Sequence, residues 1–164
     1  MATSVNNAAA EEAGREYLAF SLGGEEYAVN ILQVQEIRAY ERVTRIANMP
    51  PFIKGVMNLR GAVVPVVDLR VRFNVGNAEY GASTIVIVIN IGARTIGMVV
   101  DGVSDVVTLK AADLRAAPQI AGVLTAEFLE GVAILDKRML IIVDINGLMS
   151  SKEMGLLESS AAAA

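Results

Sequence analysis

Ile53-Lys54-Gly55-Val56-Met57-Asn58-Leu59-Arg60-Gly61-Ala62-Val63-Val64-Pro65-Val66-Val67-Asp68-Leu69 holds two apolar runs around a polar, glycine-bearing tip, the pattern of a β-hairpin. Pro65 inside the second run points to an edge strand or a bulge, because proline supplies no ladder donor. Slid by 76 positions, the stretch falls without a gap on Leu129 to Ile145. Gly55 then meets Gly131, Leu59 meets Leu135, and Val67-Asp68 meets Val143-Asp144. A slide of 69 lays Leu22 to Ile37 on Ile91 to Val106, so that Gly23 meets Gly92, Val34 meets Val103, Glu36 meets Asp105 and Ile37 meets Val106. Two ungapped blocks in the same order read as two copies of one β module.

The copies bound the organisation. The first module spans about residues 16–78 and the second about 82–148, with strands free to cross between them. Ser150-Ser151-Lys152-Glu153 has the spacing of a capping box and predicts a helix over about 151–158. Residues 1–15 read as a disordered tail and 159–164 as a frayed one. Ile31, Val34, Gln35 and Ile37 fit a short amphipathic helix as well as a strand. Their counterpart in the second copy holds Asp101-Gly102, a hairpin-turn dipeptide, which tips Gln33 to Ile37 towards strand. Each module then has about five short strands, which suits a small closed barrel that removes most edges. Barrels this small are marginal alone, so an apolar interface should join them. The expected class is all-β: two similar five-stranded barrels on a shared core, with a few short helices.

Composition agrees with one such unit and narrows the chemistry. The chain has 164 residues, 54% of them hydrophobic and 20% charged, with no Cys and no His. That removes disulfides, thiol nucleophiles, thiolate metal sites, imidazole bases and Ser-His-Asp relays. Catalysis would have to rest on carboxylates, Lys, Tyr or a carboxylate-bound metal. Lack of Cys suits a reducing cytoplasm. Mean hydropathy is +0.48, yet the longest apolar runs, such as Ile85 to Ile89 and Met139 to Val143, are far shorter than the roughly 18 residues of a spanning helix. The first residues show neither the basic start nor the apolar stretch of a secretory signal. A net charge of −4 disfavours nucleic acid.

No phosphate-cradling glycine pattern and no G-x-S-x-G elbow is present, and Gly23-Gly24, Gly61 and Gly102 read as turn residues of positive φ. Asp68 and Asp144 fall at equivalent strand ends, where a carboxylate caps backbone donors. Glu25-Glu26 reads as a solvated turn, and no cofactor or metal is implied. Charge is nevertheless uneven. Between Glu36 and Arg72 stand seven basic residues against three acidic ones, a net +4 in an acidic chain. Six of the seven are Arg, the cation favoured at protein interfaces. Arg60 is the sharpest position: it sits at a hairpin tip where packing gives it nothing, and its counterpart is Asp136, so the module folds without arginine there.

Val34-Gln35-Glu36-Ile37, Ile53 to Gly61, Val64-Pro65-Val66-Val67-Asp68-Leu69 and Val99-Val100-Asp101-Gly102-Val103 together resemble the hallmarks of the CheW family of bacterial chemotaxis coupling proteins, over about Glu16 to Leu157. The resemblance implies two Src-homology-3-like barrels and a cytoplasmic adaptor without enzymatic activity. Its implied partners are the cytoplasmic tips of chemoreceptors (methyl-accepting chemotaxis proteins), the regulatory domain of the histidine kinase CheA, and other copies of the family in rings. Carried over by motif, the partner-binding surface falls on Val34, Glu36, Ile37, Asn58, Arg60 and Gly61 in the first module. In the second it falls on Val86, Gly97, Val103 and Val106. Glu36 and Arg60 are expected to pair. A kinase regulatory domain shares the fold, but a complete kinase of this kind needs a phosphoacceptor His. A carboxylate enzyme or ligand-binding barrel would instead show an enclosed polar pocket, whereas an adaptor would show exposed apolar strips at the barrel edges.

Overall fold

The computed structural model describes residues 14–73, 80–115 and 129–149. Strands β1 (Arg15–Leu22), β2 (Glu25–Asn30) and β3 (Val34–Ala39) are followed by β4 (Ile53–Leu59), β5 (Ala62–Asp68) and the short helix α1 (Leu69–Arg72). Then come β6 (Ile85–Ile91), β7 (Arg94–Val100), β8 (Gly102–Leu109), β9 (Leu114–Arg115), β10 (Leu129–Leu135), β11 (Arg138–Val143) and helix α2 (Ile145–Met149). They form two sheets, of order β8-β1-β2-β11-β10-β9 and β3-β6-β7-β5-β4.

The repeat in the sequence reappears as a repeat of register. Ile37 faces Ile87 across β3 and β6, and 69 positions away Val106 faces Leu18 across β8 and β1. Val66 pairs Gly97 in the parallel β5–β7 ladder, and its counterpart Ile142 pairs Ala28 in the parallel β11–β2 ladder. Even the irregularities match: the register shifts between Ile53 and Gly55 in one hairpin and between Leu129 and Gly131 in the other. Asp136 holds the left-handed φ of 55° at the place where Arg60 holds 50°.

The sheets do not follow the sequence boundary near residues 78–82. The leading hairpin of each copy sits in the other copy's sheet, β1–β2 beside β11 and β6–β7 beside β5. This exchange explains the unbroken apolar runs. Leu18, Phe20 and Leu22 of β1 join Ile87, Ile89, Ile96 and Met98 in one core shared by the two sheets. The opposite face of β1 puts Tyr17 and Ala19 into a second cluster inside its own sheet, and Val86, Val88 and Val99 do the same in the other. Strands buried on both faces cannot alternate with polar residues. Phe20, Tyr27 and Phe73 stack through the shared core, with centroids 6.0 and 5.9 Å apart.

Several expectations are corrected. Asp101-Gly102 is not a hairpin turn: the chain passes there from β7 in one sheet to β8 in the other, and Gly102 does not take a positive φ. The equivalent passage from β2 to β3 uses a 3₁₀ turn over Ile31–Gln33, closed by Asn30 Oδ1 accepting from the Leu32 N–H at 3.0 Å. Gln33 therefore belongs to the turn, and the strand starts at Val34. Nor does Pro65 mark an edge, because β5 lies between β7 and β4. Val56 spends its own N–H and C=O on Thr44, both at 2.8 Å, so its pairing with Pro65 asks for no proline donor. On the other side, the ladder with β7 begins only at Val66. Of the N-terminal tail expected over residues 1–15, Gly14 and Arg15 are described, and Arg15 opens β1. The helix expected over 151–158 and the tail over 159–164 lie outside the described residues.

Candidate functional site

The tip of the β4–β5 hairpin is a two-residue turn, with φ of 50° at Arg60 and 91° at Gly61. Two consecutive left-handed residues match the twist of the flanking strands. Asn58 Oδ1 accepts from the Gly61 N–H at 2.7 Å and closes the turn. The turn leaves the Arg60 side chain two-thirds exposed, at 67%. Its Nη2 donates to Glu36 Oε2 at 2.9 Å. Glu36 lies on β3, at one end of the five-stranded order, while β4 lies at the other. The ion pair thus joins the hairpin tip to the opposite edge of the curled sheet. An exposed pair contributes about 0–1 kcal/mol to folding, so its main effect is to hold the guanidinium in one orientation.

The second sheet has a related arrangement that the repeat hides. Arg138 donates to Asp105, the counterpart of Glu36, at 3.0 and 2.9 Å. It also forks onto Glu26 at 3.0 and 2.7 Å. Glu26 is therefore partnered and not simply solvated. Arg138 aligns with Ala62 and not with Arg60, two residues further along the hairpin, so position matching does not find it. Its hydrogen bonds hold the Asp105 carboxyl below the usual range despite slight desolvation.

The other expected site residues divide by burial. Ile37 and Val106, equivalent in the repeat, are exposed at 45% and 47%. Val34 and Val103, also equivalent, are half-buried against the shared core. Val86 and Gly97 are buried. Val86 is 2% exposed inside its sheet, and a Cβ on Gly97 would stand 2.9 Å from Val86 Cγ1. Neither offers a side chain to a partner; they set how closely β6 and β7 pack. Exposed apolar side chains that motif matching did not single out are Leu32 at 89%, Val63 at 72% and Met139 at 62%. Met139 faces the exposed Ile134 across β10 and β11, where the first copy has Val63 facing Asn58.

One buried polar cluster ties the sheets together. Arg70 donates through Nε and Nη2 to both oxygens of Asp68, at 3.1 and 3.0 Å, and through Nη1 to Asp101 Oδ1 at 3.0 Å. Asp68 also caps the Arg70 N–H and accepts from the Tyr80 hydroxyl. Asp101 Oδ2 takes the Gly23 N–H at 2.8 Å, reaching into the β1–β2 turn of the other sheet. Burial opposes the charge on Arg70, but the hydrogen bonds it donates to Asp68 and Asp101 outweigh it and hold the guanidinium protonated. Burial, then the bond to Asp68, push the Tyr80 hydroxyl above its ordinary value. Asp144, the counterpart of Asp68, caps the Gly147 N–H at 3.1 Å. Among the described residues no three His, Cys, Asp or Glu side chains converge on a metal-sized site.

The CheW-like domain family matches residues 16–153. The chain belongs to the CheW family. The chemotaxis protein CheW of Klebsiella aerogenes is 54% identical over 158 residues, 96% of this chain and 95% of that protein. CheW of Bacillus subtilis is 33% identical, over 85% of this chain and 89% of its own. The solved structure of the scaffolding protein TtCheW from Thermoanaerobacter tengcongensis superposes with a TM-score of 0.78 at 31% identity, covering 85% of this chain and 95% of that one. The mostly-strand architecture agrees with the all-β class expected, with six strands in one sheet order and five in the other. No helix among the described residues is long and apolar enough to cross a membrane.

Proposed function

We propose that this CheW-family chain is a non-enzymatic adaptor that couples the cytoplasmic tips of chemoreceptors to the regulatory domain of the histidine kinase CheA, at the membrane-associated receptor array. The observation that carries the reading is the Arg60 tip. A charged side chain is held out from a tight turn and oriented by Glu36, on an edge strand that also exposes Ile37. Fixed orientation lowers the ordering cost of a contact, and an arginine beside exposed apolar surface is a common interface anchor. Val34, Glu36, Ile37, Asn58, Arg60 and Gly61 supply this surface in one sheet, with Val103 and Val106 at the equivalent place in the other. Val86 and Gly97 act through the shape of the sheet beneath. Other copies of the chain fit the same kind of contact in rings.

The test is Arg60→Ala in assemblies of receptor fragment, kinase and adaptor. Kinase activation is expected to fall several-fold or more. Stability is expected to stay within about 1 kcal/mol, because the lost pair is exposed and alanine meets the same positive φ that arginine already accepts. Unchanged kinase output, or a collapse of the melting temperature, would remove this role from Arg60.

A further inference from the structure

Away from the Arg60 tip, the connection between β3 and β4 lines an open cleft of about 380 Å³ together with Tyr80. Arg42, Arg45 and Lys54 line it together with Tyr40, Tyr80 and Met49, and none of the described residues that line it carries a carboxylate. The three cations are available. Among the described residues Arg42 and Arg45 make no ion pair, and Lys54 Nζ rests over the Tyr80 ring, 5.1 Å from its centroid. Glu41, the acid next in sequence, faces Arg38 at 3.8 Å. Asp68, behind Tyr80, is already consumed by Arg70 and the Tyr80 hydroxyl. Tyr40 and Tyr80 pack at 4.7 Å and give the cleft a firm floor. In a chain of net charge −4, three cations that make no ion pair among the described residues give the cleft a local positive field.

We propose that this cleft is a second docking site, which takes a carboxylate-rich segment of a partner protein; that the occupant is a protein rests on the adaptor reading above. The cations are long side chains around an open mouth, suited to several carboxylates spaced along a peptide. Arginine is also the cation over-represented where carboxylates are recognised by paired hydrogen bonds. Lys54 adds a charge that can leave the ring for a carboxylate without breaking an ion pair.

The experiment titrates the full chain, isotopically labelled, with a hexaglutamate peptide and follows backbone amide shifts, with inorganic phosphate and hexalysine as parallel probes. Shifts centred on Arg42, Arg45 and Lys54, with binding at least tenfold weaker in Arg42→Glu/Arg45→Glu, are the expected result. The melting temperature of that variant should be unchanged, since neither side chain makes an ion pair among the described residues. Three results would overturn the proposal: no hexaglutamate binding, shifts centred elsewhere, or an unaltered affinity in the double variant. Phosphate binding as tightly as the peptide would overturn the peptide assignment and mark a simple anion site. Because the probe is neither kinase nor receptor, this readout is independent of Arg60→Ala. A failed coupling assay with intact peptide binding therefore counts against the adaptor reading alone, and the reverse against the cleft alone.

Discussion

Arg70→Met is expected to destabilise the fold by about 3–5 kcal/mol, the cost of removing one partner from a buried ion pair. Arg70 is 3% exposed and Asp68 fully buried. Methionine keeps most of the stem's packing, so the loss reports the charge. Among the described residues, Asp68 would be left inside the protein with only the Tyr80 hydroxyl and the backbone N–H of position 70. Asp101 would keep the Gly23 N–H but lose its cation. Total stabilities of domains this size are about 5–15 kcal/mol, so the variant approaches the threshold of folding. Urea denaturation measures it, and a shift below about 1 kcal/mol would show that the cluster is not a buried ionic tie. Adding Asp68→Asn should recover part of the loss, because an uncharged amide costs less to bury than an unpaired carboxylate. No recovery would place the cost in the packing of Arg70 and not in its charge.

Gly55→Ala is expected to cost about 3 kcal/mol or more, although it adds a single methyl group. Gly55 has a φ of 144°, and a Cβ built there would stand 2.0 Å from the Thr44 carbonyl oxygen and 3.0 Å from the Arg45 Cα. Strained backbone alone costs about 1–3 kcal/mol for a residue with a Cβ, and here the obstacle is backbone that cannot rotate away. Relief requires moving the chain at Thr44 off β4, which breaks both 2.8 Å bonds between Thr44 and Val56. Denaturation should therefore show the loss of stability, and hydrogen exchange should show the Thr44 and Val56 amides losing protection first. Retained protection at those two amides would contradict the steric account. The same displacement would disturb the wall that carries Arg42 and Arg45, so Gly55→Ala should weaken hexaglutamate binding as well.

Much of this architecture is legible in the sequence because the two copies were kept in step. Offsets of 69 and 76 recover pairs that share register, bulge and exposure, such as Ile37 with Val106 and Val34 with Val103. What the offsets do not contain is which sheet each hairpin joins. That choice depends on burying both faces of β1–β2 and β6–β7, a long-range property that no local window expresses. The same limit explains Asp101-Gly102: as a dipeptide it reads as a turn, but its carboxylate serves the Gly23 N–H and Arg70, far away in the chain. Motif position points to Val86 and Gly97 without showing their burial, which follows from the exchanged hairpin lying between two cores. Arg60 stands out in the sequence because a hairpin-tip arginine without packing needs another reason to be there, whereas its pairing with Glu36 follows from the family resemblance. Arg138 does not stand out, since its register in the hairpin differs by two residues from that of Arg60.

The coupling role itself is tested most directly by measuring binding of the full chain, separately, to the isolated CheA regulatory domain and to a chemoreceptor cytoplasmic fragment by titration calorimetry. The account predicts saturable binding to both. Binding to neither partner would contradict it.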